Sequence, residues 1–194
     1  MPEKTAALGL RERKRARTRA SIRQHAMRLF LEQGFAQTSV EQIAEAAEVS
    51  PSTFFRYFPT KEDVVLADDL DPILLAALAA QPADLPPMVA LRQAVNSTWQ
   101  ALSSEDFERE QERQRLVFSV PELRAAILLA LYKSIDMIAV AIAERSGRSP
   151  EDFEVRVFAG AVAGAVMGAS GGPNGGIGNA VKAIEFLEQG LPLA

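Results

Sequence analysis

The 194-residue sequence contains no cysteine, one histidine and one tryptophan. Without cysteine there is no disulfide scaffold, thiolate zinc site, iron–sulfur cluster or cysteine nucleophile. His25 alone cannot build a His-rich metal site, and it offers a single imidazole with no identifiable acidic partner. No metal and no cofactor are expected. Residues 157–181 lack any charge, but Gly and Ala dominate them, GGPNGG interrupts them, and no Leu/Ile run is present. A membrane span is therefore not expected. The first twenty residues, MPEKTAALGLRERKRARTRA, are basic and have no apolar h-region, so a secretory signal is not expected either. The glycine-rich GASGGPNGGIG has neither dinucleotide-binding nor P-loop spacing and follows no strand. The carboxylates at 105–112 lie side by side on one charged stretch, a poor arrangement for paired acid/base work. The expectation is a soluble, cytoplasmic protein that is not an enzyme.

The composition is that of an ordinary globular chain, 48% hydrophobic and 24% charged, but its charge is unevenly placed. Residues 1–61 carry 11 basic and 6 acidic side chains, a balance of +5, whereas residues 62–194 carry 10 and 19, a balance of −9. A basic head on an acidic body suggests a polyanionic partner for the head alone.

Helical spacing and caps account for most of the chain, giving an all-α reading of about nine helices. Ile22, Ala26, Leu29 and Phe30 recur at helical spacing over 17–33, and Gly34 is a natural stop. Thr38 with Glu41 reads as a capping box for a second helix that buries Val40, Ile43, Ala44 and Ala47. Ser50-Pro51 opens a third helix with Phe54 and Phe58 facing inward, and Thr60 with Asp63 caps a fourth over 61–80. Later helices are expected over 88–103, 104–118, from a Ser119 cap to about 146, from Ser149-Pro150 onward, and over 179–190. The domains are expected as a basic N-terminal arm (1–16), a three-helix head (17–62) and a larger helical body (63–194).

Residues 38–58 form the strongest constellation: helix, tight turn, helix. In a helix-turn-helix the second helix enters the major groove and its N-terminal residues meet base edges. Ser52, Thr53, Phe55 and Arg56 are the side chains that the inward core does not need. Arg56 can offer a bidentate fork to guanine and Phe55 can touch a thymine methyl. Tyr57 and Lys61 suit phosphates, and the helix starts at Ser39 and Ser50 add backbone donors.

The segment GFAQTSVEQIAEAAEVSPSTFFRYFPTKEDVV (34–65) resembles the DNA-binding region of the TetR family of transcriptional regulators, and residues 17–33 match that family's first helix. The resemblance implies a homodimer with an N-terminal DNA-binding head and a C-terminal body for ligand binding and dimerisation. Carried over by position, Thr38, Ser39, Ser52, Thr53, Phe55, Arg56, Tyr57 and Lys61 are candidate DNA contacts; Arg17 of the basic first helix and Ser50 at its helix start join them. One departure stands out: Glu48 occupies the turn position that is usually glycine, and must adopt positive φ or alter the turn. The body resembles a subgroup whose C-terminal domain takes acyl-CoA-like ligands.

In the body, Met88, Trp99, Phe107, Phe118, Met137 and Phe158 are candidate pocket walls, and Arg113, Arg115 or Arg124 could meet a phosphate or carboxylate. Gly160, Gly164 and Gly168 repeat every four residues and would let another helix approach closely. With Val181 and Ile184 they are candidates for the dimer interface that the resemblance implies. The resulting reading is a ligand-responsive regulator, most readily a repressor, that binds a palindromic duplex operator and is released by a small apolar or acyl effector. The alternative is a small-molecule-binding or scaffold helical dimer without operator recognition.

Overall fold

The computed structural model describes residues 3–67, 70–171, 175–176 and 178–193, with the side chains of 3–8, 124 and 125 left aside. Ten helices and no strand occur among these residues. The chain divides into two compact units, residues 1–67 and 68–194.

The head is built on α1 (Glu3–Gln33), α2 (Val40–Ala46), α3 (Pro51–Tyr57) and α4 (Lys61–Leu66). The basic segment expected as a separate arm is, from Glu3 onward, the first half of α1. Its Arg, Lys, Glu, Ala and Leu residues are strong helix formers, and no proline interrupts them. On the second half, Ile22, Ala26 and Phe30 recur every four residues and are buried with Phe35, Ile43, Ala44, Phe54, Phe58, Val64 and Val65. Leu29 and Val40, expected in this core, are only half-buried.

Caps fix the short helices. At α2 the cap sits one residue later than expected: the Ser39 hydroxyl accepts from the Gln42 N–H, and the Gln42 side chain accepts from the Ser39 N–H. Thr38 is buried instead and donates to the Gly34 carbonyl at 2.8 Å. Glu41 accepts from its own backbone N–H and the Ser39 hydroxyl, which holds its carboxyl below the ordinary range. The Ser50 cap with Pro51 and the reciprocal Thr60–Asp63 cap are formed as expected.

The body comprises α5 (Asp71–Ala79), α6 (Pro87–Ala101), α7 (Ser104–Ser119), α8 (Pro121–Ser146), α9 (Phe153–Ser170) and α10 (Asn179–Glu188). The single helix expected over 61–80 is thus two, α4 and α5. Pro72 lies in the first turn of α5, where its missing N–H needs no partner; in a continuous helix its ring would meet the carbonyl four residues earlier. The Ser119 cap does not form, because α8 begins after Val120 without a side-chain cap. Ser149 to Asp152 close a turn ahead of α9 rather than opening it, with the Asp152 carboxylate accepting from the Ser149 N–H.

Leu91 and Ala94 of α6, Ala139 and Ile142 of α8, Val155, Ala159 and Val162 of α9, and Ala180 and Ile184 of α10 form one contiguous core. Arg145 of α8 donates to the carbonyls of Gln81, Pro82 and Leu85 and so ties down the turn between α5 and α6. Arg92 reaches Glu188 at 2.9 Å and joins α6 to α10.

Candidate functional site

The turn between α2 and α3 determines which face α3 presents. The Glu48 N–H donates to the Glu45 carbonyl at 3.0 Å and the Val49 N–H to the Ala44 carbonyl at 2.9 Å. These are the two bonds of a Schellman closure, whose central residue must be left-handed. Glu48 occupies that position with φ 54°. The same closure uses glycine at the end of α10, where Gly190 has φ 81°. Of the two options left open for Glu48, the chain takes positive φ and keeps the turn.

Past this turn, α3 buries Phe54 completely, and Phe58 just beyond the helix is also buried, so the rest of α3 faces outward. Ser52 and Arg56 are exposed, Phe55 is half exposed at 50%, and Thr53 and Tyr57 are partly covered. The Ser50 hydroxyl lies 2.9 Å from both the Ser52 and Thr53 hydroxyls, which orients all three at the helix start. The Arg56 guanidinium lies over the Tyr57 ring, 5.5 Å from its centroid. Arg17 is exposed on α1. Ser39 is engaged as a cap and Thr38 is buried, so neither hydroxyl points freely outward.

Lys61 was expected at a phosphate. Its ammonium instead donates to the Phe35 carbonyl at 2.8 Å and the Thr38 carbonyl at 3.1 Å, and lies 4.2 Å from the Phe35 ring centroid. It pins the connection between α1 and α2 to the start of α4. Spacing alone gave no sign of a pairing 26 residues apart.

In the body the expected pocket residues are not gathered at one place. Met88, Trp99, Met137 and Phe158 are partly buried and pack against the core. Phe107 is partly buried on α7. Arg115 and Phe118 do meet at a cavity of about 370 Å³, together with Gln111, Gln114, Ser119, Ser170, Gly175 and Gly176. The Gln114 side-chain oxygen is buried there without a partner, and so is the Trp99 indole nitrogen on α6. Arg113 forms a buried ion pair with Glu110, and Arg124 lies outside the described side chains. Arg109 pairs with Glu105 at 2.8 Å on the exposed side of α7.

On α9, a Cβ added at Gly160, Gly164 or Gly168 would meet nothing within 4 Å. Phe153 and Val157 are exposed on that same helical face. Val181 is partly buried, but Ile184 is fully buried by its own chain, so no second copy can reach it. Two helices, Pro121–Ser146 and Phe153–Ser170, are long and apolar enough to cross a membrane by length and composition.

Family models match both units: "Bacterial regulatory proteins, tetR family" over residues 22–67 and "MftR C-terminal domain" over residues 85–172. The chain is 39% identical to the regulator TcmR of Streptomyces glaucescens over 151 residues, covering 74% of this chain and 67% of that protein. The chain belongs to the TetR family of transcriptional regulators. It is also 31% identical to MftR of Mycobacterium tuberculosis, whose name assigns it to mycofactocin biosynthesis, over 73% of this chain and 72% of that one. Among solved structures it resembles Thermus thermophilus FadR, a TetR family repressor crystallised with lauroyl-CoA, with a TM-score of 0.52 and 27% identity. That likeness covers 91% of this chain and 96% of FadR.

TetR-family regulators are ligand-responsive DNA-binding repressors that form dimers, and they are not enzymes. Members are soluble, and the two apolar helices fit the core of a soluble TetR-family protein. α3 lies within the part of the chain, residues 22–67, that matches the family's regulatory-protein model. The sequence reading missed Gln111 and Gln114 on α7; their i, i+3 spacing with Phe118 four residues further on was the available signal.

Proposed function

We propose that this TetR-family chain is a cytoplasmic, homodimeric repressor that binds a palindromic operator through α3 and leaves it when a small apolar or acyl effector enters the body. The observation that carries the operator reading is the division of labour along α3. Phe54 and Phe58 anchor one side while Ser52, Phe55 and Arg56 stand outward, spaced to follow a major groove. Arg56 is the guanine-reading side chain and Phe55 the thymine-methyl contact. Two heads would read half-sites about one helical turn apart, or a multiple of it.

The dimer surface in this reading is the open face of α9, with Gly160, Gly164 and Gly168 in close approach and Phe153 and Val157 covered by the partner. Val181, partly buried against the core, is a further candidate for this surface. This also gives a role to the apolar residues that α8 leaves exposed, Leu128, Leu129 and Tyr132. The acyl class of effector is supported by the lauroyl-CoA bound to the similar Thermus FadR. In this chain the cavity at Arg115 and Phe118 pairs a cation with an aromatic wall, suited to an anionic group on an apolar tail. Release requires the effector to bind the non-operator geometry more tightly than the bound one.

Fluorescence anisotropy with the intergenic DNA beside the protein's own gene tests this reading. Saturable binding that prefers this DNA over scrambled duplex, and is reversed by a long-chain acyl-CoA, is expected. Equal binding to both duplexes would favour the alternative, a ligand-binding helical dimer without operator recognition. Glu48 is the feature that gives the alternative weight, because it sets a negative charge at the turn leading into α3.

A further inference from the structure

The cavity beside α7 holds two polar groups that the rest of the chain leaves unanswered. Gln111, Gln114, Arg115 and Phe118 fall at i, i+3, i+4 and i+7, and this one face of α7 lines the cavity of about 370 Å³. The Gln114 side-chain oxygen is buried without a hydrogen-bond partner. Its terminal amide turns about a soft torsion, so the oxygen can be presented to the cavity. The Arg115 guanidinium has one long contact, 3.4 Å to the Gln111 side-chain oxygen, and no carboxylate partner among the described residues. A buried acceptor without a donor weighs on the fold until something donates to it. Across from α7, Ser170 is buried at the end of α9, and Gly175 lies so close to the Ser170 carbonyl that a Cβ there would collide with it. A Cβ at Gly171 would come within 3.2 Å of the Phe118 ring. Five of the eight lining residues are polar, so the cavity suits a hydrogen-bonding head rather than a hydrocarbon chain.

We infer that this cavity takes the head of an acyl effector hydroxylated close to its acyl oxygen, with that oxygen at Arg115 and the hydroxyl donating to Gln114. The inference rests on the acyl-effector reading above and adds which acyl compounds the body selects. The acyl oxygen is that of a carboxylate or of a thioester carbonyl, and the guanidinium donates to either. Gln114 and Arg115 are consecutive residues on one cavity, so the ligand must carry its donor and its acceptor within a few bonds of each other. A 3-hydroxyacyl group has that spacing. A hydroxyl fits better than an amine, whose positive charge Arg115 would repel. It also fits better than an amide N–H, because it can accept from the Ser170 hydroxyl while it donates to Gln114. Gln114 is then the specificity-determining residue. A plain acyl head that shuts water out of the cavity leaves the Gln114 oxygen unpaired, and is bound more weakly for that reason. The hydrocarbon tail gains little among these polar side chains and leaves past the Phe118 ring.

The test is isothermal titration calorimetry of the full-length protein with 3-hydroxydodecanoate and dodecanoate, each as the free acid and as the CoA thioester. In at least one of these two series the hydroxylated member should bind about tenfold more tightly, which is what one buried hydrogen bond contributes. Gln114→Met keeps the length of the side chain and removes its acceptor. With its helical circular dichroism intact, this variant should lose the preference and bind the plain compounds at least as tightly as the wild type does. Arg115→Gln should weaken both members of a series alike and keep the preference between them. Equal or weaker binding of the hydroxylated member in both series overturns the inference while the acyl reading stands. So does a preference that survives in Gln114→Met. Failure of all four compounds to bind the wild type overturns the acyl reading itself.

Discussion

The head and the body solve the same packing problem in opposite ways. In the head, helices of six and seven residues are held by hydroxyl caps and an aromatic interior of Phe30, Phe35, Phe54 and Phe58. Large side chains with few rotamers and fixed caps define one geometry for α3, as a reading surface requires. In the body, long helices meet through Ala, Val, Leu and Ile, with large apolar residues left outside on α8 and α9. Small residues at helix contacts allow close approach of the helix backbones. A head fixed by caps and rings, and a body that leaves large apolar residues uncovered, are the two halves that the proposed regulator combines.

The largest predicted effect tests the rigid half. Phe54→Ala removes a fully buried ring and should cost about 3–5 kcal/mol of head stability. Thermal unfolding followed by circular dichroism should show the loss, with operator binding abolished. In the body, Gly164→Leu has room within its own chain, so the folded monomer should survive. If the glycine face is the dimer seam, the added bulk should weaken association by roughly 1–3 kcal/mol for each copy. Sedimentation velocity would read this as a shift to monomer; an unaltered dimer would place the seam elsewhere.

Arg56→Ala should weaken operator binding by about 1–3 kcal/mol and relax the preference at one base pair without altering the fold. Glu48→Gly is smaller. A left-handed non-glycine residue costs about 1–2 kcal/mol, and glycine's extra chain entropy returns about half of that. The net gain in unfolding free energy should be no more than about 1 kcal/mol, with operator affinity kept or improved. Smallest is Asp136→Ala, which breaks the exposed 2.7 Å pair with Arg156 between α8 and α9. Such surface pairs contribute about 0–1 kcal/mol, so urea unfolding should barely move.

Much of the head could be read before any coordinates, because its signals are local. Ser50-Pro51, Thr60 with Asp63, and the four-residue spacing of Phe54 and Phe58 each specify geometry within one turn. The Ser39 cap was misplaced because Thr38-Ser39 is a doublet, followed at the third position by either Glu41 or Gln42. Burial of Thr38 decides between them, and burial is not a local property. The hydrogen bonds of Lys61 were illegible for the same reason, since its acceptors are distant in sequence. In the body, Ile184 and the glycines share an apolar composition that spacing cannot sort into inside and outside. The structure separates them by packing Ile184 against α6 and α9 while leaving the glycines open.

Trp99, the chain's one tryptophan, also makes the body visible to light on its own. It lies on α6. Indole emission therefore reports on the body alone, and its unpaired ring nitrogen leaves its colour sensitive to any polar group that arrives. A spectral change on adding duplex would have to be relayed from the other unit, whereas one produced by a fatty compound alone would be local. The unlabelled protein thus carries a native gauge of whether its halves communicate, and in which direction.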